Sequence, residues 1–314
     1  MDWKEKEDEV KKGDNKKWAW VPHLLRIIGL MIGAGILFYP TISSQWNKYR
    51  DSLLISEYTQ KVQDYSEEQY RDVYQAAKAY NDQHLINYIL DAFDESAEEY
   101  ILTHPYDTLL NPLGDYVMGY IEIPKIDVSL PIYHGVGTAA LEKGAGHIEG
   151  TSLPIGGLGT HAVLSGHRGL PGRKLFTDLD LVQIGDQFYL NVLNETLAYE
   201  VDQILTVLPH ETEALDIVPG EDLVTLVTCT PYGVNSHRLL IRGHRIEYSE
   251  ANKNEQERNV VEKVKNAGME EKLVMIGLAT FFGLCIIFWI ISEIIRRRRR
   301  KLNETDADKR NNGI

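Results

Sequence analysis

A succession of short runs typical of β-strands, separated by turn residues, constrains the fold more than any other feature of this sequence. Seven such runs lie between residues 117 and 248, and glycine, proline, asparagine and aspartate punctuate them. Helical patterns between them are few and short. This spacing favours a closed, mostly antiparallel β-barrel over a parallel α/β sheet. The runs are VMGYIEI, LPIYHG, THAVLSG, DQFYLNV, TLAYEVDQILTVL, LVTLVTC and HRLLIRGHRIEY.

One of these runs ends at Cys229, the single cysteine of the barrel region. The chain has two cysteines, and the other, Cys285, lies in an apolar run near the C-terminus. Turn residues follow Cys229, and Arg238 then resumes a strand pattern nine residues downstream. Arg238 should therefore lie alongside Cys229 on the neighbouring strand, where a cation stabilises the nucleophilic thiolate. The alternative for a lone cysteine at a strand end is a small buried hydrophobe.

Nucleophilic cysteine chemistry also needs a proton donor and a group that holds the acyl oxygen. His167 is the best candidate for the donor, because it follows a strand and opens a Gly/Pro loop in AVLSGHRGLPG. Arg238 fits the third role, since its guanidinium remains charged. His237 is the strongest rival to His167, but as a strand neighbour of Arg238 its side chain should face the opposite way. The remaining histidines of the region are interpreted as structural or surface residues: His134, His147, His161, His210 and His244.

Charge and composition exclude several other classes of function. A net charge of −13 argues against nucleic acid binding through a basic surface. No Cys/His pair has zinc-ligand spacing, and a single cysteine in the barrel region excludes a multi-thiolate site. We therefore predict no metal, no other cofactor and no nucleic acid partner.

Two apolar runs flank the barrel region. Residues 273–291 form an uncharged run long enough to cross a bilayer, and the basic cluster that follows predicts a cytoplasmic C-terminal tail. Residues 23–39 form a shorter, glycine-rich run, which we interpret as an uncleaved signal anchor because a lysine-bearing leader precedes it and no clear cleavage site follows. Both ends are then cytoplasmic, and roughly residues 41–270 lie outside the cell, in a multi-pass protein of the cell membrane.

Between the first anchor and the barrel, residues 49–102 have helical periodicity. Ser66, followed by two glutamates, resembles a helix start, so two helices are predicted. An acidic stretch rich in turn residues begins at Asp91 and is either a connector or a lid. The predicted segments are a cytoplasmic leader (1–22), a signal anchor (23–40), an extracellular helical region with a lid (41–116), the catalytic barrel (117–248), a linker (249–272), a transmembrane helix (273–295) and a basic cytoplasmic tail (296–314).

The motifs together resemble the sortases, cysteine transpeptidases of Gram-positive cell surfaces. TLVTC is followed by TPYGVNSHRLLIRG and preceded by HAVLSGHRGLP, which places His167 62 residues before Cys229. YIEIPKIDVSLPIYHG, KGAGHIEGTSLPIGG and KLFTDLD also match, so the resemblance covers roughly residues 117–248. Two membrane segments and an insert before the barrel are similar to class C, the pilus-building sortases.

This resemblance implies a mainly β fold, the eight-stranded sortase barrel, with an N-terminal helical and lid insert, two flanking transmembrane helices and no required metal. It implies that Cys229 is the nucleophile and that His167 is the general acid that protonates the leaving amine. Arg238 would position the substrate or stabilise the oxyanion.

Class C sortases usually carry a lid with Asp, Pro and an aromatic residue. The nearest match here is Asp91, Ala92 and Phe93, which lacks the proline, so the loop should be less rigid. The segment of His104, Pro105 and Tyr106 is a second candidate that lacks the acid.

The expected function is therefore that of a membrane-anchored class C sortase. It would cleave an LPXTG-like sorting signal between Thr and Gly through a Cys229 thioester and join pilin subunits by a lysine isopeptide bond. Its partners would be pilins that carry a sorting signal and an acceptor lysine, together with the lipid bilayer. A housekeeping sortase that attaches proteins to peptidoglycan is one alternative, and a non-catalytic surface adaptor on a sortase barrel is another. The second anchor and the lid-like insert argue against the first, and the intact set of Cys229, His167 and Arg238 argues against the second.

Overall fold

The structure is a computed structural model that describes residues 21–83 and 105–248, with six further residues near the C-terminus. The chain divides into two units, and the first reaches to Tyr248. The predicted second membrane segment, residues 273–291, lies outside the described residues except at two positions. All six described residues of the second unit are helical: Gly283, Ile290, Glu293, Ile294, Arg297 and Arg298.

The first unit begins with a long helix, α1 (Val21–Gln63), which continues through Pro40. The sequence predicts an anchor and a separate helical region from residue 49, whereas the structure joins them in one helix. Apolar side chains of its first half, including Ile36 and Leu37, are exposed. In the part of the chain that the structure describes, α1 is the one helix that is long and apolar enough to cross a bilayer, judged only by its length and composition. The signal anchor stays a prediction.

A second helix, α2 (Glu67–Gln83), starts at the predicted position. The Ser66 hydroxyl accepts a hydrogen bond from the Gln69 amide at 3.2 Å, and the Gln69 side chain accepts one from the Ser66 amide at 3.0 Å. This reciprocal pair satisfies backbone donors that have no partner within the helix. Ser66 therefore separates the two helices, as its sequence context predicts.

Eight strands form a closed barrel: β1 (Val117–Ile123), β2 (Val128–His134), β3 (Ala145–His147), β4 (Thr160–Ser165), β5 (Gln187–Val192), β6 (Glu195–Val207), β7 (Asp222–Thr230) and β8 (His237–Ile246). Their order around the barrel is β1-β2-β3-β4-β7-β8-β6-β5. The β2–β3 and β4–β7 pairs are parallel and the other pairs are antiparallel. The predicted mostly antiparallel barrel is thereby confirmed. A short helix, α3 (Thr138–Leu141), precedes β3.

The barrel and the helices share one hydrophobic core. Ile121, Phe188, Leu226 and Ile241 are fully buried in it, and each comes from a different strand. Tyr58 joins α1 to this core: its hydroxyl donates to the Met118 carbonyl at 2.7 Å and accepts from the Leu193 amide at 2.9 Å. The second half of α1 is therefore part of the folded unit.

Candidate active site

Cys229 and Arg238 lie directly opposite each other on β7 and β8. In an antiparallel pair, opposite residues have Cβ atoms about 4.5–5.5 Å apart on the same face of the sheet. The turn between the two strands sets this register, and the nine-residue spacing in the sequence is its consequence. The structure thus places Cys229 and Arg238 at paired positions on neighbouring strands, where the sequence predicts them.

His167 comes level with Cys229 through the parallel pairing of β4 and β7. Each paired position on β7 lies 62 residues after its partner, from Thr160↔Asp222 to Ser165↔Val227. Beyond the last pair, the Thr228 hydroxyl donates to the Gly166 carbonyl at 2.7 Å.

The guanidinium of Arg168 donates to the Thr230 hydroxyl at 3.1 Å, two residues further along. His167 lies between these two bonds, at the position that corresponds to Cys229. The 62-residue spacing between the histidine and the cysteine is therefore the strand register itself.

The three side chains differ in burial. Cys229 is 8% exposed and Arg238 is 9% exposed, whereas His167 is half-buried. Burial lowers the pKa of His167 below its usual range, and the nearby Glu142 carboxylate opposes this shift. The imidazole is consequently harder to protonate than a free histidine. A charged guanidinium beside the thiol favours the thiolate.

The guanidinium of Arg238 is held by the turn that follows Cys229. It donates to the Asn235 carbonyl at 3.2 Å and to the His237 carbonyl at 3.3 Å. These bonds fix the cation at the end of the barrel where β7 terminates.

The loop that carries His167 is fixed by close packing. The Phe176 amide donates to the His167 carbonyl at 3.2 Å, and Phe176 is fully buried. A Cβ atom at Gly166 would lie 2.6 Å from the Phe176 ring. Glycine is therefore required immediately before the histidine.

Three other histidines have ring nitrogens bonded within the fold. His161 contacts the Asp216 carbonyl at 2.9 Å and the Thr225 hydroxyl at 2.7 Å. His134 and His147 are likewise buried and bonded at both ring nitrogens. These contacts support the structural interpretation of all three. His237, the predicted rival, contacts the Ser236 hydroxyl at 2.9 Å.

Arg168 is a residue of this region that the sequence prediction did not include. Its side chain is 8% exposed, and one guanidinium nitrogen lies 2.6 Å from Asp180. The guanidinium also lies 5.9 Å from the centre of the Tyr232 ring. Arg168 thus connects the His167 loop with the β7–β8 turn. Its position next to His167 in the motif was the available signal.

The predicted lid residues Asp91 and Phe93 lie outside the described residues, so the lid stays a prediction. In the second lid candidate, Tyr106 is 2% exposed. Its hydroxyl accepts from the Gly135 amide at 3.0 Å and contacts His147 Nδ1 at 2.8 Å. Tyr106 is therefore a core residue.

Comparison with known proteins identifies the fold and the family. A family model described as the Sortase domain matches residues 121–246. The crystal structure of sortase C-1 from Streptococcus pneumoniae is 43% identical, covers 63% of this chain and 100% of that chain, and gives a TM-score of 0.58. The chain belongs to the sortase family. Sortase C-1 from Actinomyces oris is 48% identical, with 57% of this chain and 98% of that chain covered and a TM-score of 0.53.

The solved structures also confirm the predicted resemblance to class C. Among curated sequences, Sortase A of Streptococcus agalactiae is 36% identical over 117 residues, which cover 36% of this chain and 47% of that protein. This match spans about half the length of that relative, as expected if the similarity to Sortase A is carried by the barrel. Within residues 21–83 and 105–248, this sortase has no group of three or more side chains arranged to hold a metal ion.

Proposed function

We propose that this sortase is a membrane-anchored transpeptidase that cleaves LPXTG-like sorting signals between Thr and Gly and joins pilin subunits through lysine. The observation that supports the proposal is that Cys229 and Arg238 occupy paired positions on β7 and β8, and that His167 lies in the loop directly after β4, the other neighbour of β7. The similar structures include a Streptococcus pneumoniae sortase C described in terms of pilin substrate specificity and a pilus-related sortase C of Group B Streptococcus. These descriptions support pilins as the substrate class.

In the first half-reaction, the Cys229 thiolate attacks the carbonyl carbon of the Thr–Gly bond. The developing oxyanion is stabilised by the Arg238 guanidinium, which keeps its charge throughout. Protonated His167 gives its proton to the glycine nitrogen as the C–N bond breaks. The glycine fragment leaves as an amine, and the remainder stays on Cys229 as a thioester.

In the second half-reaction, a neutral lysine amine of the next pilin attacks the thioester carbonyl. The C–S bond breaks and the thiolate leaves, while the proton of the attacking amine passes to neutral His167. The products are an isopeptide bond and an enzyme that again holds a thiolate and an imidazolium. Water could replace lysine at this step, so exclusion of water protects the intermediate.

The productive form requires a thiolate and an imidazolium together. A free thiol has a pKa of about 8.5, so without help only a small fraction is ionised at neutral pH. Arg238 favours the thiolate, whereas burial disfavours the imidazolium of His167. The two influences therefore act in opposite directions on the formation of the charged pair.

The proposed topology places the barrel outside the cell between two membrane helices, residues 23–40 and 273–295. The exposed apolar side chains in the first half of α1 support the first of these. A catalytic domain held at the outer face of the cell membrane would meet pilins as they leave the cell.

Coexpression of the full chain with candidate pilins tests the function. The expected result is a ladder of detergent-resistant pilin oligomers with the wild type and none with Cys229→Ala. Because the chain has two cysteines, Cys285→Ser is the matched control and should keep the ladder. Pilin joined to peptidoglycan without oligomers would favour the housekeeping role, and ladders with Cys229→Ala would refute the proposed nucleophile.

A further inference from the structure

We propose that Arg173 is a positioning residue for the reaction. It fastens the loop that carries His167 to helix α1 and so sets where the imidazole stands relative to Cys229. The inference rests on the proposed function, in which His167 transfers the proton. Helix α1 would then help to position a catalytic group, in addition to its proposed role as a membrane anchor.

Arg173 lies six residues after His167 and forms an ion pair with Asp51 of α1, at 3.2 Å between Nη1 and Oδ2. The two side chains are 10% and 11% exposed. Asn47, one helical turn before Asp51, adds a second attachment. Its side-chain amide donates to the Gly172 carbonyl at 2.9 Å, and its oxygen accepts from Arg173 Nη2 at 3.4 Å. One face of α1 thus holds both residues of the loop.

Hydrogen bonds within the loop connect this attachment to His167. The Arg173 amide donates to the Leu170 carbonyl at 3.2 Å, and the Phe176 amide donates to the His167 carbonyl at 3.2 Å. The Gly169 amide donates to the Thr177 hydroxyl at 3.1 Å. Because these bonds close the loop upon itself, a shift at Arg173 moves the backbone of His167.

The guanidinium of Arg173 also contacts a second segment that affects the pKa of His167, namely the turn after α3. Arg173 Nη1 also donates to the Lys143 carbonyl, and Lys143 directly follows Glu142. The Glu142 carboxylate is the charge that opposes the effect of burial on the pKa of His167. Arg173 therefore orders both the loop that carries His167 and the turn that carries this carboxylate.

The cluster has the features of a built site. A charge with little exposure is costly unless it is paired and hydrogen-bonded, and Arg173 has acceptors from α1 and from the turn after α3. Burial raises the pKa of Asp51 to about 6, against the opposing charges of Arg173 and Arg50. Burial, and then the Asp51 charge, raise the pKa of Tyr133. The Asp51–Arg173 pair is therefore fully charged only well above that pH, where the test should be run.

The test compares Arg173→Gln with Arg242→Gln in the full chain in detergent, on a Cys285→Ser background that leaves Cys229 as the single thiol. Arg242 is the matched control because it donates two bonds to Asp202, at 3.0 and 2.9 Å. That pair joins β8 to β6, outside the His167 loop. Rates of ligation of a sorting-signal peptide to an amine are normalised to the Cys229 thiols that can be labelled.

We expect Arg173→Gln to lower kcat by about tenfold to a hundredfold, the scale of a small misplacement of a catalytic group, with KM unchanged. Arg242→Gln should leave both constants unchanged. The pH profile of Cys229 alkylation supplies a readout that a purely structural role would not move. In Arg173→Gln its His167-dependent inflection should shift to higher pH, because a loosened loop hydrates the imidazole and burial affects the pKa of His167 more than the Glu142 carboxylate does. Equal kcat values and equal inflections in the two variants would overturn the proposal.

Asp51→Asn provides a second route if Arg173→Gln folds poorly. Both substitutions remove the same Asp51–Arg173 ion pair, so the double variant should be no slower than the slower single variant. Additive losses of kcat would contradict a role for this ion pair. Alkylation needs no substrate, so it separates the two proposals. A wild type that shows the His167-dependent inflection but never ligates would refute the proposed function and leave the positioning role standing.

Discussion

His161 and His167 lie six residues apart, at opposite ends of the β4–β7 pair. His161 is fully buried, and its two ring nitrogens contact Asp216 and Thr225. His167 is half-buried in the loop after β4. Burial lowers the pKa of both rings. The difference is that both ring nitrogens of His161 are bonded within the fold, whereas His167 lies in the loop after β4, next to the end of β7 that carries Cys229.

The two ends of β7 show the same contrast. At the first end, the Asp222 carboxylate accepts from the Gly157 amide at 2.8 Å and from the Tyr199 hydroxyl at 2.9 Å, and lies 3.6 Å from Arg245. At the other end, Cys229 lies between the positions of His167 and Arg238. One strand therefore carries a structural ion pair at its first end and the candidate nucleophile at its other end.

The histidine pair gives the largest expected effect. His167→Gln should lower the ligation rate by about 10² to 10⁴-fold, the usual contribution of a general acid, with little change in the free energy of unfolding. His161→Gln should do the reverse and destabilise the fold while keeping the rate per folded molecule. Ligation rates and denaturant unfolding of both variants measure this. If His161→Gln lost as much activity per folded molecule as His167→Gln, the distinction between a structural His161 and a catalytic His167 would be wrong.

Asp222→Ala should reduce the free energy of unfolding by about 3 kcal/mol, because it leaves buried donors without their charged acceptor. Its effect on ligation per folded molecule should be negligible, since Asp222 is at the far end of β7. Asp202→Ala is the control, because its pair with Arg242 is more exposed and should contribute less than about 1 kcal/mol. Chemical denaturation compares the two. If Asp222→Ala lost more activity than its unfolded fraction explains, the predicted difference between the two ends of β7 would be wrong.

Two buried threonines of β7 sharpen the comparison further. The Thr225 hydroxyl is hydrogen-bonded to the His161 ring, and the Thr228 hydroxyl donates to the Gly166 carbonyl next to His167. Replacement of either by Val should cost about 1–2 kcal/mol of stability through a lost hydrogen bond. Thr228→Val alone should also lower kcat, because it loosens the register that sets His167 level with Cys229. Steady-state kinetics on folded protein would reveal this, and an equal kcat in the two variants would argue against it.

The smallest effect concerns Glu142. Its carboxylate favours the protonated imidazole, so Glu142→Gln should lower the pKa of His167 further. Activity that depends on protonated His167 falls as pH rises through that pKa, and this fall should therefore move to lower pH. The kcat/KM profile measures the shift, with Glu221→Gln at the opposite end of β7 as the control. A shift to higher pH would show that another group dominates.

The pairing of Arg238 with Cys229 could be predicted because a short turn joins their two strands. His167 could be selected only as a histidine that follows a strand and opens a Gly/Pro loop, because the parallel pairing of β4 with β7 joins segments 62 residues apart in the sequence. The strand β3 was not predicted as a strand, since three residues show too little alternation to be recognised. The Arg173 cluster could not be predicted either, because its partner Asp51 lies 122 residues away and only the docking of α1 brings them together. The continuity of α1 was missed because Pro40 usually ends a helix.

The most direct measurement of the central claim is to trap the acyl-enzyme. The full chain with Cys285→Ser is mixed with a sorting-signal peptide in the absence of an amine acceptor, quenched in acid and analysed by mass spectrometry. The account predicts a mass increase on Cys229 equal to the peptide fragment that ends in threonine, released by hydroxylamine and absent from Cys229→Ala. Cleavage of the peptide between Thr and Gly with no adduct on Cys229, or with equal cleavage by Cys229→Ala, would contradict it.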